Sequence, residues 1–332
     1  MDWSRIFTNV AGEVFAPTTA AYALAAIGLN IHFGLTGLLN MGQAGFMLLG
    51  AYGFAIATIA GWPLWAAVIV AMLAAAVFAL ILGIPTLKLR GDYLAIVTIA
   101  AAEIIRLVGR STALTELTGA SSGLRGNSYK GTFQDASPFP DTVWSLGPFS
   151  YATNASNSWW IRIVAWVVVG LACWLVWLLI RSPWGRVLKG IREDEDAVRS
   201  LGKNVYWYKM QSLMIGGIIG AFGGFMYALG QSAVQPDNFT TNQTFFAYTI
   251  LIVGGAARVL GPLLGTLIFW FLIQFSDVTL GEAVNNHVIT FMTAEQAAQV
   301  RWVLAGVVLM LLMIFRPQGI LGDRKEIALD ER

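Results

Sequence analysis

The sequence has 332 residues, of which 57% are hydrophobic and 12% are charged, and its net charge is +2. Soluble domains carry roughly 25% charged residues, so this composition excludes a soluble globular protein and indicates an integral membrane protein. The apolar runs are continuous rather than alternating, which predicts an all-α, polytopic membrane helix bundle and not an outer-membrane barrel. A lone cysteine, Cys173, excludes a disulfide framework and a thiolate metal site.

The apolar runs divide the chain into three parts. A short, partly amphipathic lead-in covers residues 1–16, a transmembrane domain covers 17–316, and a C-terminal tail that is predicted to be cytoplasmic covers 317–332. We expect about 8–10 transmembrane helices, and nine with the N-terminus outside if every run is a full crossing. The predicted spans begin near 17, 46, 64, 93, 159, 210, 245, 263 and 302.

Two glycine-rich stretches separate apolar runs: residues 34–45, which contain no charged residue, and residues 254–265, which contain Arg258 and Pro262. Membranes tolerate non-helical backbone only where it is packed in protein or lines a cavity. Each stretch therefore predicts a broken helix or a re-entrant turn, and a re-entrant turn would change the number of crossings. The glycines expected to break the helices are Gly34, Gly37, Gly42, Gly45, Gly254, Gly255 and Gly261.

Polar side chains gather around the first break and predict a path for a solute. The candidates are Asn30, His32, Thr36, Asn40 and Gln43, with Glu103 in the fourth span. A single polar residue in a span more often joins two helices through a hydrogen bond. Glu103 also has a simpler interpretation, an ion pair with Arg106 three residues along the same helix.

Basic residues determine the predicted orientation, because loops rich in Lys and Arg face the cytoplasm. The loops 85–91 and 181–209 and the C-terminal tail carry such residues and are predicted to be cytoplasmic. The long polar segment 110–158 has three bases matched by three acids, so it is predicted to be external. Residues 276–299 contain no Lys or Arg and are also expected outside.

The cytoplasmic loop 181–209 combines charge with an apolar stripe. Val187, Leu188, Ile191, Val198 and Leu201 recur at steps typical of an amphipathic helix. A solvated loop helix would account for the charges but not for the stripe. A helix that docks in a groove on a cytoplasmic partner accounts for both.

Catalytic motifs are missing from the sequence. It has no G-x-x-x-x-G-K-[ST] phosphate loop and no H-E-x-x-H pair. The histidines, His32 and His287, do not form a metal-binding pattern. We therefore expect no enzymatic activity, no metal site and no ATP hydrolysis on this chain.

Four stretches of the sequence are distinctive: GLNIHFGLTGLLNMGQAGFMLLGAYGFA, LRGDYLAIVTIAAAEIIRLV, GRVLKGIREDEDAVRSLGKNVYWYKMQSLMIGGIIGAFGGFMYA and the tail RPQGILG. They resemble the permease subunits of branched-chain amino acid ABC importers, in particular the longer of the two permeases. The likeness extends from about Gly28 to Gly322 and is weakest in 110–158. The sequence departs from the family pattern in the aromatic stretch VYWYKM, so the resemblance does not define the detailed surface of the cytoplasmic contact.

The resemblance implies a bacterial inner-membrane importer with a second permease, two cytoplasmic ATP-binding subunits and an external solute-binding protein. It implies no cofactor on this chain and no nucleic acid partner; ATP and Mg would bind the ATPase subunits, and the lipid bilayer surrounds the permease. It places the contact with the ATPase on Val187, Leu188, Ile191, Glu195, Ala197, Val198, Leu201 and Gly202. Related permeases carry urea or short amides, and the two breaks also suit an ion-driven secondary transporter, so these alternatives stay open.

Overall fold

A computed structural model describes residues 3–89, 91–139, 143–146, 148–152, 157–286, 293–316 and 318–322. Within these ranges the chain is a helix bundle with two small β-ladders on one end. The helices are α1 Trp3–Val14, α2 Pro17–Leu29, α3 Gln43–Ile59, α4 Leu64–Thr86, α5 Gly91–Gly109, α6 Thr115–Thr118, α7 Gly126–Tyr129, α8 Gly131–Asp135, α9 Trp159–Arg181, α10 Pro183–Glu193, α11 Glu195–Ser200, α12 Val205–Gly230, α13 Thr241–Gly254, α14 Gly261–Asn285 and α15 Ala294–Phe315. The strands are β1 Leu124–Arg125, β2 Val143–Leu146, β3 Phe149–Ala152 and β4 Ala233–Val234.

In the described part of the chain, five helical segments are long and apolar enough to cross a membrane. They are Pro17–Leu35, Leu64–Thr86, Trp159–Arg181, Val205–Gly230 and Gly261–Val284. The predicted multi-pass helix bundle is therefore confirmed. The shorter apolar helix α3 is buried along most of its length, so it lies inside the bundle rather than at its surface.

The helices extend into the second predicted external segment. Residues 276–299 were expected outside, with the preceding span ending near Phe275; α14 instead continues to Asn285, and α15 begins at Ala294. The extension of α14 is explained by α1, whose buried Ile6 and Val10 pack against Phe275 and Val278. The amphipathic lead-in thus supplies an apolar partner to a helix end that looked polar in the sequence. His287 lies outside the described residues.

Helix α12 forms the centre of the bundle and packs against α2, α3 and α4. The glycines of its GGIIGAFGG run bring backbones into direct contact. A Cβ built at Gly224 would lie 1.8 Å from the carbonyl oxygen of Met47 in α3. Two turns earlier, a Cβ at Gly216 would lie 2.5 Å from the carbonyl oxygen of Gly28 in α2.

The ends of the bundle match the predicted sidedness. At one end a small cavity is lined by residues of the first break, of the loop after α4 and of α10, including Gly37, Leu89 and Arg192. At the other end Pro17 lies beside Gly230. The basic loops therefore share one end, which the positive-inside rule assigns to the cytoplasm. Arg90 lies outside the described residues.

The described residues of the predicted external loop 110–158 include short helices and strands, and part of them docks on the outer end of α12. Strand β1 pairs antiparallel with β4, and β2 pairs with β3. Tyr129 donates a hydrogen bond of 2.8 Å to the carbonyl of Ala228, and Lys130 donates to the carbonyl of Gln231. Burial lowers the pKa of Lys130 to about 8. The loop is therefore anchored to the bundle through α12.

The close contact at Gly224 yields a stability prediction. We expect Gly224→Ala to lower the thermal stability of the purified permease, because the added methyl overlaps the α3 backbone, and overpacking costs about 1–3 kcal/mol. Gly170→Ala in α9 is the matched control, since a Cβ there meets nothing within 4 Å. Equal melting temperatures for the two variants would contradict the close packing of α12 on α3.

Candidate functional site

The first glycine-rich stretch interrupts a helix inside the bundle. Helix α2 continues as a π-helical segment over Asn30–Leu35, the chain then runs without helix, and α3 begins at Gln43. Gly37 has φ +72°, a left-handed conformation that favours glycine over residues with a side chain. The chain thus turns back at the cytoplasmic end and re-enters the interior as extended backbone before α3 forms.

The second glycine-rich stretch interrupts the chain in the same way between α13 and α14. Helix α13 ends at Gly254, Gly255 takes φ +104°, and α14 begins at Gly261. Residues of the C-terminal tail complete this end: the N–H groups of Ile320 and Leu321 donate to the carbonyls of Val253 and Gly254 at 2.9 and 3.1 Å. The tail motif RPQGILG, in which Pro317 lies outside the described residues, therefore supplies donors to the last turn of α13.

Asn30 joins the two breaks. Its side-chain Oδ1 accepts a hydrogen bond of 2.8 Å from the N–H of Ala257, and its Nδ2 donates one of 2.8 Å to the carbonyl of Arg258. The side chain is fully buried. One carboxamide therefore satisfies two backbone groups of the second break from the end of α2.

Asn40 is the centre of a second polar group, within the first break. Its Nδ2 donates to Nδ1 of His32 at 3.0 Å and to Oε1 of Gln43 at 3.4 Å, and its Oδ1 accepts from the N–H of Gly42 at 2.9 Å. His32 Nε2 lies 3.1 Å from the Leu213 carbonyl, so the ring is a neutral imidazole that donates from Nε2. These contacts hold the non-helical residues 37–42 of the first break against α12.

Two further predicted residues complete the network. The hydroxyls of Thr36 and Ser212 lie 2.6 Å apart, and both reach the carbonyl of Ile31. Gln43 Nε2 donates to the carbonyl of Ala25 at 3.2 Å. The structure thus brings five of the six predicted path residues together, and in this conformation their polar groups bond to one another and to backbone.

Helices α3 and α13 begin next to each other in the interior. The N–H of Ala44, in the first turn of α3, donates to the hydroxyl of Thr244 at 2.9 Å, and the hydroxyl of Tyr248 donates to the Asn40 carbonyl at 3.1 Å. The N–H of Met41 donates to the hydroxyl of Thr98 at 2.9 Å. Helix N-termini carry partial positive charge, so this junction is a polar, electropositive region at the level where both half-helices start.

Sequence reasoning missed the hydroxyl residues of this junction. Thr98 stands alone in an apolar run, whereas Ser212, Thr244 and Tyr248 lie at or near the start of one. A single hydroxyl in a membrane helix commonly bonds to its own backbone. The two non-helical stretches need hydrogen-bond partners inside the protein. This requirement could have pointed to these hydroxyl residues.

Glu103 lies apart from this network, on α5. Its carboxylate accepts from Arg106 Nε at 2.8 Å and from the Thr241 hydroxyl at 3.0 Å, and 31% of its side chain is exposed. Arg106 also pairs with Asp237. The pair three residues apart is thus formed, and through Thr241 and Asp237 it connects α5 to the start of α13.

The cytoplasmic loop differs from its prediction, because the expected helix from Val187 to Leu201 is two helices. Ser182 caps α10 by accepting from the N–H of Gly185, and Asp194, in extended conformation, caps α11 by accepting from the N–H of Ala197 at 3.0 Å. An Asp that favours a cap over a helix interior explains the interruption.

The apolar stripe of this helix pair faces the chain's own bundle and not a partner. Leu188, Ile191 and Val198 are buried and belong to the main hydrophobic core, with Val187 packed against it. They are therefore not available for docking, which corrects the expected apolar contact. The loop residues that remain exposed include Asp196, Ala197, Arg199, Leu201 and Gly202, with Leu201 at 78%. Glu195 holds the pair in place through ion pairs with Arg199 and Lys209.

The helix pair touches the first break directly. Arg192, at the end of α10, donates from Nη1 to the carbonyl of Gly34, and its Cγ would lie 3.3 Å from a Cβ at Gly37. The side chain of Arg192 therefore lies between the exposed surface of the loop and the buried polar network. A displacement of α10 must act on the break.

The described residues include no group of three or more His, Cys, Asp or Glu side chains that could hold a metal ion. The polar junction is built of amides, hydroxyls, one imidazole and backbone groups. Such groups can bind and orient a polar solute by hydrogen bonds. They do not form a hydrogen-bonded nucleophile and base.

Comparison with known proteins identifies the family. Residues 14–315 match the family described as the permease component of branched-chain amino acid transport systems. The chain belongs to this family. It is 30% identical to the high-affinity branched-chain amino acid transport system permease protein LivM of Escherichia coli K12, over 92% of the chain and 69% of that protein. The LivM protein of Salmonella typhimurium LT2 gives the same identity and coverage.

More distant relatives carry other names. The guanosine ABC transporter permease protein NupQ of Bacillus subtilis 168 is 26% identical over 78% of the chain and 80% of its own length. The expected resemblance to branched-chain amino acid permeases is thus confirmed, and the permease is a multi-pass membrane protein of an ABC system. Membership of this family argues against the ion-driven secondary transporter.

The role of Asn30 in this permease can be tested by truncation. We expect Asn30→Ala to lower thermal stability and ATP-driven uptake together, because it leaves the Ala257 N–H and the Arg258 carbonyl without their partner, at about 1–3 kcal/mol for each buried group. Thr249→Ala is the control, since its hydroxyl bonds only within α13. If Asn30→Ala melts like the control, the two breaks are not joined through Asn30.

Proposed function

We propose that this chain is a transmembrane permease subunit of an ATP-driven importer for branched-chain, hydrophobic amino acids. The observation that supports it best is the contact of Arg192 with the Gly34 carbonyl, because it connects the cytoplasmic helix pair to the interior break. Family membership gives the solute class and the ATP-driven system. The remaining subunits, a second permease, two ATP-binding subunits and an external solute-binding protein, follow from the same family.

ATP binding closes the two ATPase subunits, which carry the α10–α11 pair of each permease with them. The pair docks through its exposed residues, chiefly Asp196, Arg199 and Leu201. Its buried face keeps it attached to the bundle, so the movement reaches the break through Arg192. ATP shifts the permease between two conformations only if it binds the two with different affinity.

The solute passes where the polar network opens. In the closed arrangement Asn40 bonds to His32 and Gln43, Asn30 bonds to the backbone of the second break, and Thr36 bonds to Ser212. The half-helix starts of α3 and α13 lie beside them. When the helices separate, these amides and N–H groups become available to the charged ends of a zwitterion. Glu103 lies at the outer side of this route, where Arg106 and Thr241 hold it.

The chain itself carries out no ATP hydrolysis and binds no cofactor in this proposal. ATP hydrolysis takes place on the ATPase subunits, which bind ATP together with Mg²⁺. The external loop 110–158, docked on α12, faces the side from which the solute-binding protein delivers its cargo. The membrane is the bacterial cytoplasmic membrane, with loop 181–209 inside.

Reconstituted transport tests the proposal. The complete importer is placed in liposomes with binding protein and labelled leucine outside, and uptake is compared with ATP inside and with an ion gradient alone. We expect uptake only with ATP, with competition by isoleucine and valine but not by urea or guanosine. Uptake by the permease alone on a gradient would refute the ABC mechanism. If urea or guanosine competed with leucine and isoleucine and valine did not, the proposed class of solute would be refuted.

Arg192 provides a test of the coupling route. We expect Arg192→Gln to lower ATP-driven uptake by roughly tenfold, since a charge-assisted hydrogen bond contributes about 1.5–3 kcal/mol. The ATPase subunits should still co-purify, because the exposed docking residues are unchanged. Arg186→Gln is the matched control, an exposed arginine of α10 that reaches only the Arg181 carbonyl. Full uptake in Arg192→Gln would exclude this route.

A further inference from the structure

A groove opens on the side of the bundle at its cytoplasmic end. It encloses about 700 Å³ between the last two turns of α9, α10, the second break and the tail. This volume is within the roughly 300–1,000 Å³ typical of sites for small ligands. It is separate from the polar junction, whose residues do not line it.

The lining divides into an apolar part and a basic part. The apolar part includes Trp174 and Trp177 on α9 and Leu260 in the break, and 60% of Trp174 is exposed. The basic part consists of Lys189 on α10 and Arg258 in the break, and none of the described residues that line the groove is Asp or Glu. The site is thus amphipathic, with positive charge at one end.

The basic part lies at the level of the membrane interface. Lys189 follows Arg181, the last residue of α9, whose guanidinium carbon stacks 4.1 Å above the ring of Trp177. Tryptophan and arginine at a helix end are typical of the headgroup level. Along α9 the groove extends from Ile180 to Cys173, a distance of about 10 Å at 1.5 Å per residue. It therefore extends from the headgroups into the hydrocarbon region.

We propose that the groove binds an anionic phospholipid of the cytoplasmic leaflet, with the phosphate at Lys189 and Arg258 and one acyl chain along Trp174, Trp177 and Leu260. Charge complementarity selects an anionic headgroup, and basic pockets between transmembrane helices at the cytoplasmic side bind such lipids. The apolar wall selects a lipid over free phosphate. The lateral position, on a helix that is mostly exposed, makes the site accessible from the bilayer.

Occupancy of this groove would affect the permease at a sensitive position. Ala257 and Arg258 line it, and both are bonded through their backbone to Asn30. Leu321 lines it as well, and its N–H caps α13. A bound lipid would therefore stabilise the second break in the arrangement seen here.

Native mass spectrometry of the assembled importer tests this proposal. The complex is titrated with equal amounts of phosphatidylglycerol and phosphatidylcholine, and the retained lipid is measured for Lys189→Gln and Lys203→Gln. Both are exposed lysines of the same loop, but only Lys189 lines the groove. We expect preferential retention of phosphatidylglycerol in the wild type and in Lys203→Gln. Lys189→Gln should reduce it about fivefold, the effect of one basic residue near a membrane surface.

Photo-crosslinking localises the lipid. A phosphatidylglycerol with a diazirine in one acyl chain should label peptides that contain Cys173–Ile180 or Val259–Leu260. Three results would overturn the proposal: equal retention of the two lipids, an equal loss in Lys203→Gln, or displacement of the lipid by the same concentration of inorganic phosphate. Labelling confined to other helices would also overturn it. These outcomes are independent of which amino acid is transported.

Discussion

The two carboxamide hydrogen bonds of Asn30 are the interaction on which the interior depends. Inside a membrane, backbone groups that leave a helix must find partners within the protein. The second break exposes the Ala257 N–H and the Arg258 carbonyl, and Asn30 satisfies both from the end of α2. The tail satisfies the carbonyls at the end of α13. Non-helical backbone at two positions is therefore possible only because distant segments of the chain supply the missing groups.

The cytoplasmic helix pair also depends on distant parts of the chain for its packing. An apolar stripe on a loop helix indicates that something covers it, but the pattern does not say what. Here Leu188, Ile191 and Val198 are covered by the chain's own core. This arrangement suits a coupling element better than an apolar docking face would. The pair moves with the bundle because its stripe is buried, and its charged outer surface is left for a partner.

Much of this architecture could be predicted from the sequence, for identifiable reasons. Long apolar runs determine the membrane-spanning helices, and glycine-rich stretches between apolar runs predicted both breaks. Asn, His and Gln are rare in apolar runs, so the network around Asn40 stood out. The hydroxyls of Ser212 and Thr244 did not, because threonine and serine occur in helices where they bond to their own backbone. The extension of α14 could not be foreseen, since it depends on the packing of α1.

The direction of the two half-helices connects this architecture to transport. Helix α3 leaves the junction toward the outer end, where the Tyr52 hydroxyl donates to the Val234 carbonyl. Helix α13 leaves the same junction toward the inner end, where Gly255 meets the tail at Gly322. Opening toward one side must therefore separate one half-helix from its neighbours while the other stays packed. In the proposed transport cycle the polar groups between them exchange protein partners for solute. Because close-packed interiors have discrete arrangements, we expect the permease to change between two states rather than to open gradually.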